Sequence, residues 1–257
     1  MQKEAIKFQD SLVFEGMTSV RAIIKSMDAC ISDRRIEKIL FDKEKIKKNA
    51  KEIGYLKAVS EKYGFTVVET DSGEIESLTL GTSHGGIIAI STDRTIPCLT
   101  PDSPILENGF YAMIEGIEDP YNFGYALRSL YAMGCDGIIL TERNWMSASG
   151  VVARSSAGAS EMLCMYTSSG VNAAEIFKAK GYTVVCADER TDNVLGSCEM
   201  KKPILLIVGG EKRGISKGVL SLADMLVKID YGREFRASLS AASAVTMFAY
   251  EIRRQNK

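Results

Sequence analysis

Residues 205–216 read Leu-Leu-Ile-Val-Gly-Gly-Glu-Lys-Arg-Gly-Ile-Ser, an apolar run that ends in a glycine-rich loop. This pattern is typical of a buried strand and the turn that follows it. Gly209, Gly210 and Gly214 allow backbone N–H and C=O groups to approach a ligand closely. The stretch therefore predicts either a ligand-binding strand end or a plain strand-to-helix turn that Ser216 caps.

Short apolar runs of the same kind alternate with helical segments along the whole chain. The predicted strands are Ile36–Phe41, Phe65–Glu69, Gly86–Ser91, Phe110–Glu115, Gly137–Leu140, Met162–Tyr166, Tyr182–Ala187, Ile204–Val208 and Met225–Ile229. The predicted helices cover residues 18–29, 44–62, 124–133, 172–180 and 239–255. This alternation favours a mainly parallel sheet, which binds ligands beyond the carboxyl ends of its strands.

Prolines divide the chain. Pro97, Pro101 and Pro104 fall within Ser91–Asn108, which predicts a linker or an extended crossover. We therefore expect one α/β domain over residues 1–92, a linker over 93–108 and a second α/β domain over 109–257.

Composition limits the class of protein. A hydrophobic content of 46% with 25% charged residues is ordinary for a globular protein. No apolar run is long enough to span a bilayer, and the first ten residues lack the apolar core of a secretory signal. Six cysteines without a CxxC pair, together with a single histidine, argue against a zinc site and for a reducing cytoplasm.

Basic residues cluster locally, although the net charge of −1 argues against indiscriminate binding to nucleic acid. The lysine run over 43–51 is interleaved with Glu44, which favours a solvated face. Lys212, Arg213, Arg233 and Arg236 lie beside or after the glycine-rich loop, where they are candidates for contacts with an anionic ligand.

Two further loops hold unusual residues. Residues 116–128 combine Asn122, Gly124 and Arg128 after an apolar strand, which indicates either an anion site or a helix cap followed by a surface arginine. Residues 236–251 begin with small residues that Ser238 or Ser240 caps, and they continue as an apolar helical face. That face fits a core or an interface.

In order and spacing, the three loops resemble the motifs of the SpoU (TrmH-like) family, RNA 2′-O-ribose methyltransferases of the SPOUT superfamily. The matching residues are Asn122, Gly124 and Arg128 of the first motif, Gly209, Glu211 and Gly214 of the second, and Ser238 and Leu239 of the third. Arg154–Ala159 resembles a further family stretch. Phe14–Val20 and Thr82–Ile87 are similar to the ends of the family's L30e-like substrate-binding domain.

The resemblance implies an N-terminal L30e-like domain and a C-terminal trefoil-knotted α/β methyltransferase (SPOUT) domain that forms homodimers. It implies S-adenosylmethionine as cofactor and methylation of a ribose 2′-hydroxyl in RNA. A dedicated recognition domain indicates a structured target, so ribosomal RNA is favoured over transfer RNA.

The resemblance also assigns the site, and no metal is expected. The catalytic candidates are Arg128, Asn122, Glu211, Ser238 and Ser240. The cofactor candidates are Gly209, Gly210, Glu211, Gly214, Ile229 and Leu239. The RNA candidates are Arg154, Lys212, Arg213, Arg233 and Arg236. Because a guanidinium stays protonated, we expect Arg128 to act first as a clamp on the adjacent phosphate and only second as a proton acceptor.

The chain departs from the family pattern at two positions. Ser240 stands where the third motif has Asn, and Asp230 stands where the family has Pro. These changes motivate one alternative, a non-catalytic RNA-binding protein that retains the fold. A second alternative, an oxidoreductase or nucleotide-binding enzyme, lacks the expected GxGxxG or GxxxxGK[ST] fingerprint. His84 lies between Ser83 and Gly85, which favours a tight turn over a catalytic role.

Overall fold

The computed structural model describes residues 12–117, 119–141, 144–210, 213–235 and 237–257. Glu211, Lys212 and Arg236, which the sequence places in the site, lie outside the described residues. The chain forms two compact units. The first joins the described part of Met1–Thr95 to Trp145–Met162, and the second joins Ile96–Asn144 to Leu163–Lys257.

The first unit is built on a mixed four-stranded sheet in the order β1-β4-β2-β3. Its strands are β1 (Val13–Glu15), β2 (Ile36–Asp42), β3 (Thr66–Thr70) and β4 (Ile87–Ser91). Its first three helices are α1 (Gly16–Asp28), α2 (Ala50–Tyr63) and α3 (Ser72–Leu78). β4 runs antiparallel to β1 and β2, whereas β2 and β3 are parallel. α1 is amphipathic, and its buried Val20, Ile23 and Ile24 pack into the core with Phe14 and Ile39.

Trp145–Met162 packs with the first unit, although the sequence analysis placed it within the second domain. It contains α5 (Ser149–Ser155) and α6 (Ala159–Met162). Gly158 lies so close to α1 that a Cβ there would overlap the Ala22 side chain. Arg34 reaches the same segment, because its Nε donates to Glu161 Oε2 at 2.9 Å and its Nη2 donates to Ser149 Oγ at 3.1 Å. The segment is therefore an integral part of this unit. The unit is made of two stretches that are separate in the sequence, so a single boundary cannot divide the chain into its two units.

The second unit is a six-stranded sheet in the order β10-β8-β9-β5-β6-β7, with every neighbouring pair parallel. The strands are β5 (Phe110–Glu115), β6 (Gly137–Leu140), β7 (Cys164–Thr167), β8 (Thr183–Ala187), β9 (Ile204–Gly209) and β10 (Met225–Val227). The helices are α4 (Pro120–Ala132), α7 (Gly170–Ala179), α8 (Lys217–Leu220) and α9 (Ala241–Gln255). The predicted parallel α/β sheet is confirmed here.

Aromatic packing fixes one face of this sheet. Tyr111, Phe177 and Tyr182 are buried, and their ring centroids lie 4.8–5.9 Å apart. The other face carries α9, which packs on both α4 and β9. The strand order changes direction at β5, since the chain continues to β6 on one side but later places β9 on the other. Open parallel sheets bind ligands near such a point.

Within the described residues, no helix has the length and apolarity needed to cross a bilayer. Nor do the described His, Cys, Asp and Glu side chains form a group that could hold a metal ion.

Candidate functional site

A cavity of about 680 Å³ lies at the carboxyl ends of β8, β9 and β10. Five of the six predicted cofactor residues line it: Gly209, Gly210, Gly214, Ile229 and Leu239. The sixth, Glu211, lies outside the described residues. Two sequence motifs that are about 25 residues apart therefore meet at one ligand-sized space, whose volume is within the usual range for small-molecule sites.

The glycines of the second motif are needed first for contacts between backbone segments. A Cβ on Gly210 would overlap the Gly116 carbonyl, and one on Gly209 would lie 2.5 Å from the Gly214 carbonyl carbon. Gly210 N donates to Glu115 O at 2.5 Å, and Gly214 N donates to Gly210 O at 3.0 Å. The chain thus folds back on itself beside the end of β5 and forms part of the cavity wall. The sequence left a ligand-binding strand end and a plain strand-to-helix turn open, and it did not predict the contact with the end of β5.

The third motif forms another wall. Ser240 caps α9, because its Oγ accepts a hydrogen bond from Ser243 N at 3.2 Å, so of the two predicted caps it is Ser240 that acts. Ser238 and Leu239 line the cavity, followed by Ala241 and Ala244 of α9. These small residues leave room for a ligand beside the helix.

Charged residues that sequence reasoning missed line the cavity at the end of β8. Asp188 is a largely buried carboxylate, and its Oδ1 and Oδ2 accept hydrogen bonds from Arg190 Nε at 2.9 Å and Nη2 at 2.7 Å. These hydrogen bonds lower the pKa of Asp188 below its ordinary value, so the carboxylate is ionised at neutral pH. In the sequence, these residues could have been found from the polar run Asp188-Glu189-Arg190, which directly follows an apolar strand.

The first motif lies at the start of α4, where Asp119 is the N-cap and its Oδ2 accepts from Asn122 N at 2.8 Å. Arg128 follows six residues later with an exposed side chain. Six helical residues correspond to about 9 Å along the axis and a rotation of about 120° between the two side chains. Among the described residues that line the cavity, neither Asn122 nor Arg128 is found.

The predicted RNA-binding residues are separated by the fold. Arg213 lines the cavity, and Arg233 is exposed in the loop between β10 and α9. Arg154 lies in the first unit, where its Nη1 is 2.7 Å from Glu15 Oε2. That ion pair joins Arg154 to the end of β1 in the same unit. Lys212 and Arg236 lie outside the described residues.

Four large side chains are exposed on the packed helix pair, Tyr125 and Tyr131 of α4 with Met247 and Tyr250 of α9, and we refer to them as the exposed apolar surface. Thr246 Oγ1 donates to Ser129 Oγ at 2.7 Å between the two helices. Arg128 lies on α4 between the two tyrosines of this surface.

The fold and cavity together define a parallel α/β protein with a ligand-sized cavity at the carboxyl edge of its sheet, between a glycine-rich turn and a small-residue helix. The chain matches the model of the SpoU rRNA Methylase family over residues 109–250, and it belongs to that family. The family expected from the three sequence motifs is therefore confirmed.

Similar proteins agree with this membership. YacO of Bacillus subtilis, provisionally named a TrmH family tRNA/rRNA methyltransferase, is 24% identical over 232 residues, which are 87% of this chain and 90% of YacO. A crystal structure of an RNA 2′-O ribose methyltransferase aligns with 95% of this chain and 88% of its own, at a TM-score of 0.77 and 19% identity. The SpoU methyltransferase AviRb of Streptomyces viridochromogenes, in complex with AdoMet, covers 95% of this chain and 89% of its own, at a TM-score of 0.75 and 21% identity.

Proposed function

We propose that this protein transfers the methyl group of S-adenosylmethionine to a ribose 2′-hydroxyl of RNA, and that ribosomal RNA is favoured over transfer RNA. One observation carries the proposal: the second and third family motifs line the same cavity at the carboxyl edge of the parallel sheet. Family membership supports methyl transfer to RNA. The name of a structural relative, an RNA 2′-O ribose methyltransferase, supports the ribose hydroxyl as acceptor.

The residues present fit S-adenosylmethionine, the cofactor bound in the AviRb complex. Ile229 and Leu239 offer apolar surface to the adenine, and Gly209, Gly210 and Gly214 line the cavity without side chains that would fill it. A positively charged sulfonium would meet a lining of mixed charge, in which Asp188 is ionised and paired with Arg190. When bound, the cofactor supplies an activated methyl group.

The chain's own task is to position the acceptor ribose and to help remove its proton. Arg128 is our candidate for the phosphate clamp, with Asn122 and Glu211 ordering the site and Ser238 facing the cavity. Ser240 would act by capping α9 and so fixing Leu239. Arg213 and Arg233 would guide the RNA backbone, with Lys212 and Arg236 as further candidates and Arg154 contributing from the first unit.

We further propose a homodimer formed through the exposed apolar surface of α4 and α9. Aromatic and Met side chains of this kind are enriched in protein interfaces. Arg128 lies within that surface and not among the described residues that line its own cavity. In the dimer it would serve the cavity of the partner subunit.

We extend the proposal to the fold of each unit. The first unit is the L30e-like recognition domain, and its mixed sheet brings together the two stretches that resemble that domain, because β1 pairs with β4. The second unit is the trefoil-knotted domain, in which the chain after β9 passes beside the β5–α4 loop. Six cysteines without a disulfide fit a protein of the reducing cytoplasm.

Calorimetric titration with S-adenosylmethionine and S-adenosylhomocysteine tests the cofactor assignment. We expect both compounds to bind the wild-type protein. The Leu239→Trp variant, in which the larger side chain fills the cavity, should bind neither compound. Leu106→Ala, an exposed apolar position away from the cavity, is the matched control. Absence of binding at millimolar ligand would contradict the enzyme assignment and favour the alternative, a non-catalytic RNA-binding protein.

Mapping 2′-O-methyl sites in total RNA with and without the gene would identify the target.

A further inference from the structure

Two aromatic side chains stand together at the rim of the cavity. Tyr231 and Phe235 both line it, their ring centroids are 6.0 Å apart and their planes are inclined by 67°. Both are exposed, Tyr231 by 37% and Phe235 by 55%. The residues of this loop from Asp230 to Phe235 are all exposed, so the pair borders the cavity from the solvent side.

The pair is held in place by the third motif. Tyr231 Oη accepts a hydrogen bond from Leu239 N at 3.2 Å, which ties the ring to the residue directly before the α9 cap. The edge-to-face arrangement then orients Phe235 against Tyr231. Each ring has two faces, so this arrangement leaves at least one face of Phe235 uncovered by its partner.

Two arginines lie near the pair, among side chains of both signs that include Asp230 and Glu234. Arg233 lies between the two aromatics in sequence, and Arg213 lines the same cavity. Proteins bind single-stranded nucleic acid with exposed aromatic rings and nearby cations, since bases stack on the rings and the cations contact the backbone.

We infer that Phe235, supported by Tyr231, stacks against the nucleobase of the nucleotide whose ribose enters the cavity. The inference rests on the proposed function and names the part of the RNA that is bound at this rim. A ribose at the mouth of the cavity carries its base to the rim. Deeper in the cavity, buried side chains such as Val208, Val227 and Phe248 add to the apolar surface that Ile229 and Leu239 offer to a cofactor. A phenyl face carries no hydrogen-bonding groups, so this contact orients the nucleotide without selecting its base.

Binding of short fluorescein-labelled RNA tests the inference by anisotropy. The probes are an oligoadenylate and its abasic counterpart of equal length, each measured with and without S-adenosylhomocysteine. We expect Phe235→Ala to weaken oligoadenylate binding by roughly fivefold or more while leaving the abasic probe unaffected, because only the stacking contact is lost. Phe235→Trp should restore the preference for the probe that carries bases. Leu106→Ala, of similar exposure, is the control.

Each result decides the inference. Equal oligoadenylate affinity for Phe235→Ala and wild type overturns it. A loss of S-adenosylhomocysteine affinity in Phe235→Ala, with RNA affinity unchanged, also overturns it and assigns the ring to the cofactor. Failure of the proposed function has a different signature: the wild type then binds no cofactor, while the comparison of the two RNA probes without cofactor still reports on Phe235.

Discussion

At the scale of single residues, the most consequential charge in the first unit is Arg34, whose side chain is 1% exposed. It pairs with the fully buried Glu161 and donates to Thr92 O at 2.8 Å, and its guanidinium lies 4.8 Å from the Phe14 ring centroid. Removing one partner of a buried pair leaves the other charge without compensation. We expect Arg34→Met to lower the free energy of unfolding by about 3–5 kcal/mol, measured by urea denaturation.

Two further variants separate the missing charge from other effects. Arg34→Met combined with Glu161→Leu should be more stable than Arg34→Met alone, because the buried carboxylate is then absent. Lys62→Met, which breaks the exposed ion pair with Asp28, should change stability far less. A double variant as unstable as the single one would show that the loss came from packing and not from charge.

Arg128 gives the second prediction at this scale. We expect Arg128→Ala to abolish methyl transfer to RNA while S-adenosylmethionine affinity stays close to wild type, because Arg128 is absent from the described cavity lining. Calorimetry and single-turnover methyl transfer measure the two effects separately. Arg253→Ala, an exposed arginine near the end of α9, is the control. Turnover by Arg128→Ala at a comparable rate would exclude the assigned role.

At the scale of elements, the end of β9 depends on the absence of a side chain at Gly210. A Cβ there would overlap the Gly116 carbonyl and would lie 3.1 Å from Glu115 O. We expect Gly210→Ala to separate the ends of β9 and β5, to destabilise the protein by about 1–3 kcal/mol and to weaken cofactor binding. Thermal unfolding and calorimetry measure the two effects. Gly232→Ala, in the loop after β10 with nothing within 4 Å of the added Cβ, should be tolerated in both assays.

Most elements could be predicted from the sequence because buried parallel strands are short apolar runs. The prediction of Gly137–Leu140 and Phe110–Glu115 agrees with β6 and β5 at every residue. β1 was missed because three residues are too few to show a period. α5 and α6 were missed because their small residues give no amphipathic pattern, and packing against α1 stabilises them. The predicted helix over residues 44–62 begins at Ala50, after a short 3₁₀ turn over Lys43–Lys45 that Asp42 caps.

The candidate site could be predicted only in part, because the sequence shows local motifs and not which strands become neighbours. Motif spacing identified the glycine loop and the start of α9, which the structure brings together. Asp188 and Arg190 join them only because β8 lies between β9 and β10, and the strand order is a long-range property that no local pattern encodes. Tyr231 and Phe235 were missed because two aromatics in a loop are distinctive only once the cavity beside them is known.

At the scale of the whole molecule, the exposed apolar surface of α4 and α9 predicts self-association. Tyr250 is 58% exposed within it. We expect the wild-type chain to be a dimer by light scattering, and Met247→Glu with Tyr250→Glu to be a monomer, because like charges would then face each other across a two-fold axis. Val171→Glu, an exposed apolar position at the start of α7, should remain a dimer. A monomeric wild-type protein at micromolar concentration would contradict the proposal.

A dimer that exchanges Arg128 between subunits makes a sharper prediction about activity. Arg128→Ala and Leu239→Trp should each be inactive alone, the first for lack of the clamp and the second for lack of a cofactor cavity. If Arg128 serves the partner's cavity, a mixed dimer has one complete site: the cavity of the Arg128→Ala subunit with the arginine of the other. Random mixing should then restore roughly a quarter of wild-type activity, since half of the dimers are mixed and each has one complete site of two.

If Arg128 acts within its own subunit, every site in every dimer carries a defect, and the mixture stays inactive. Recovery of cofactor binding cannot mimic this result, because the intact cavity of Arg128→Ala binds cofactor whether or not the subunits are mixed.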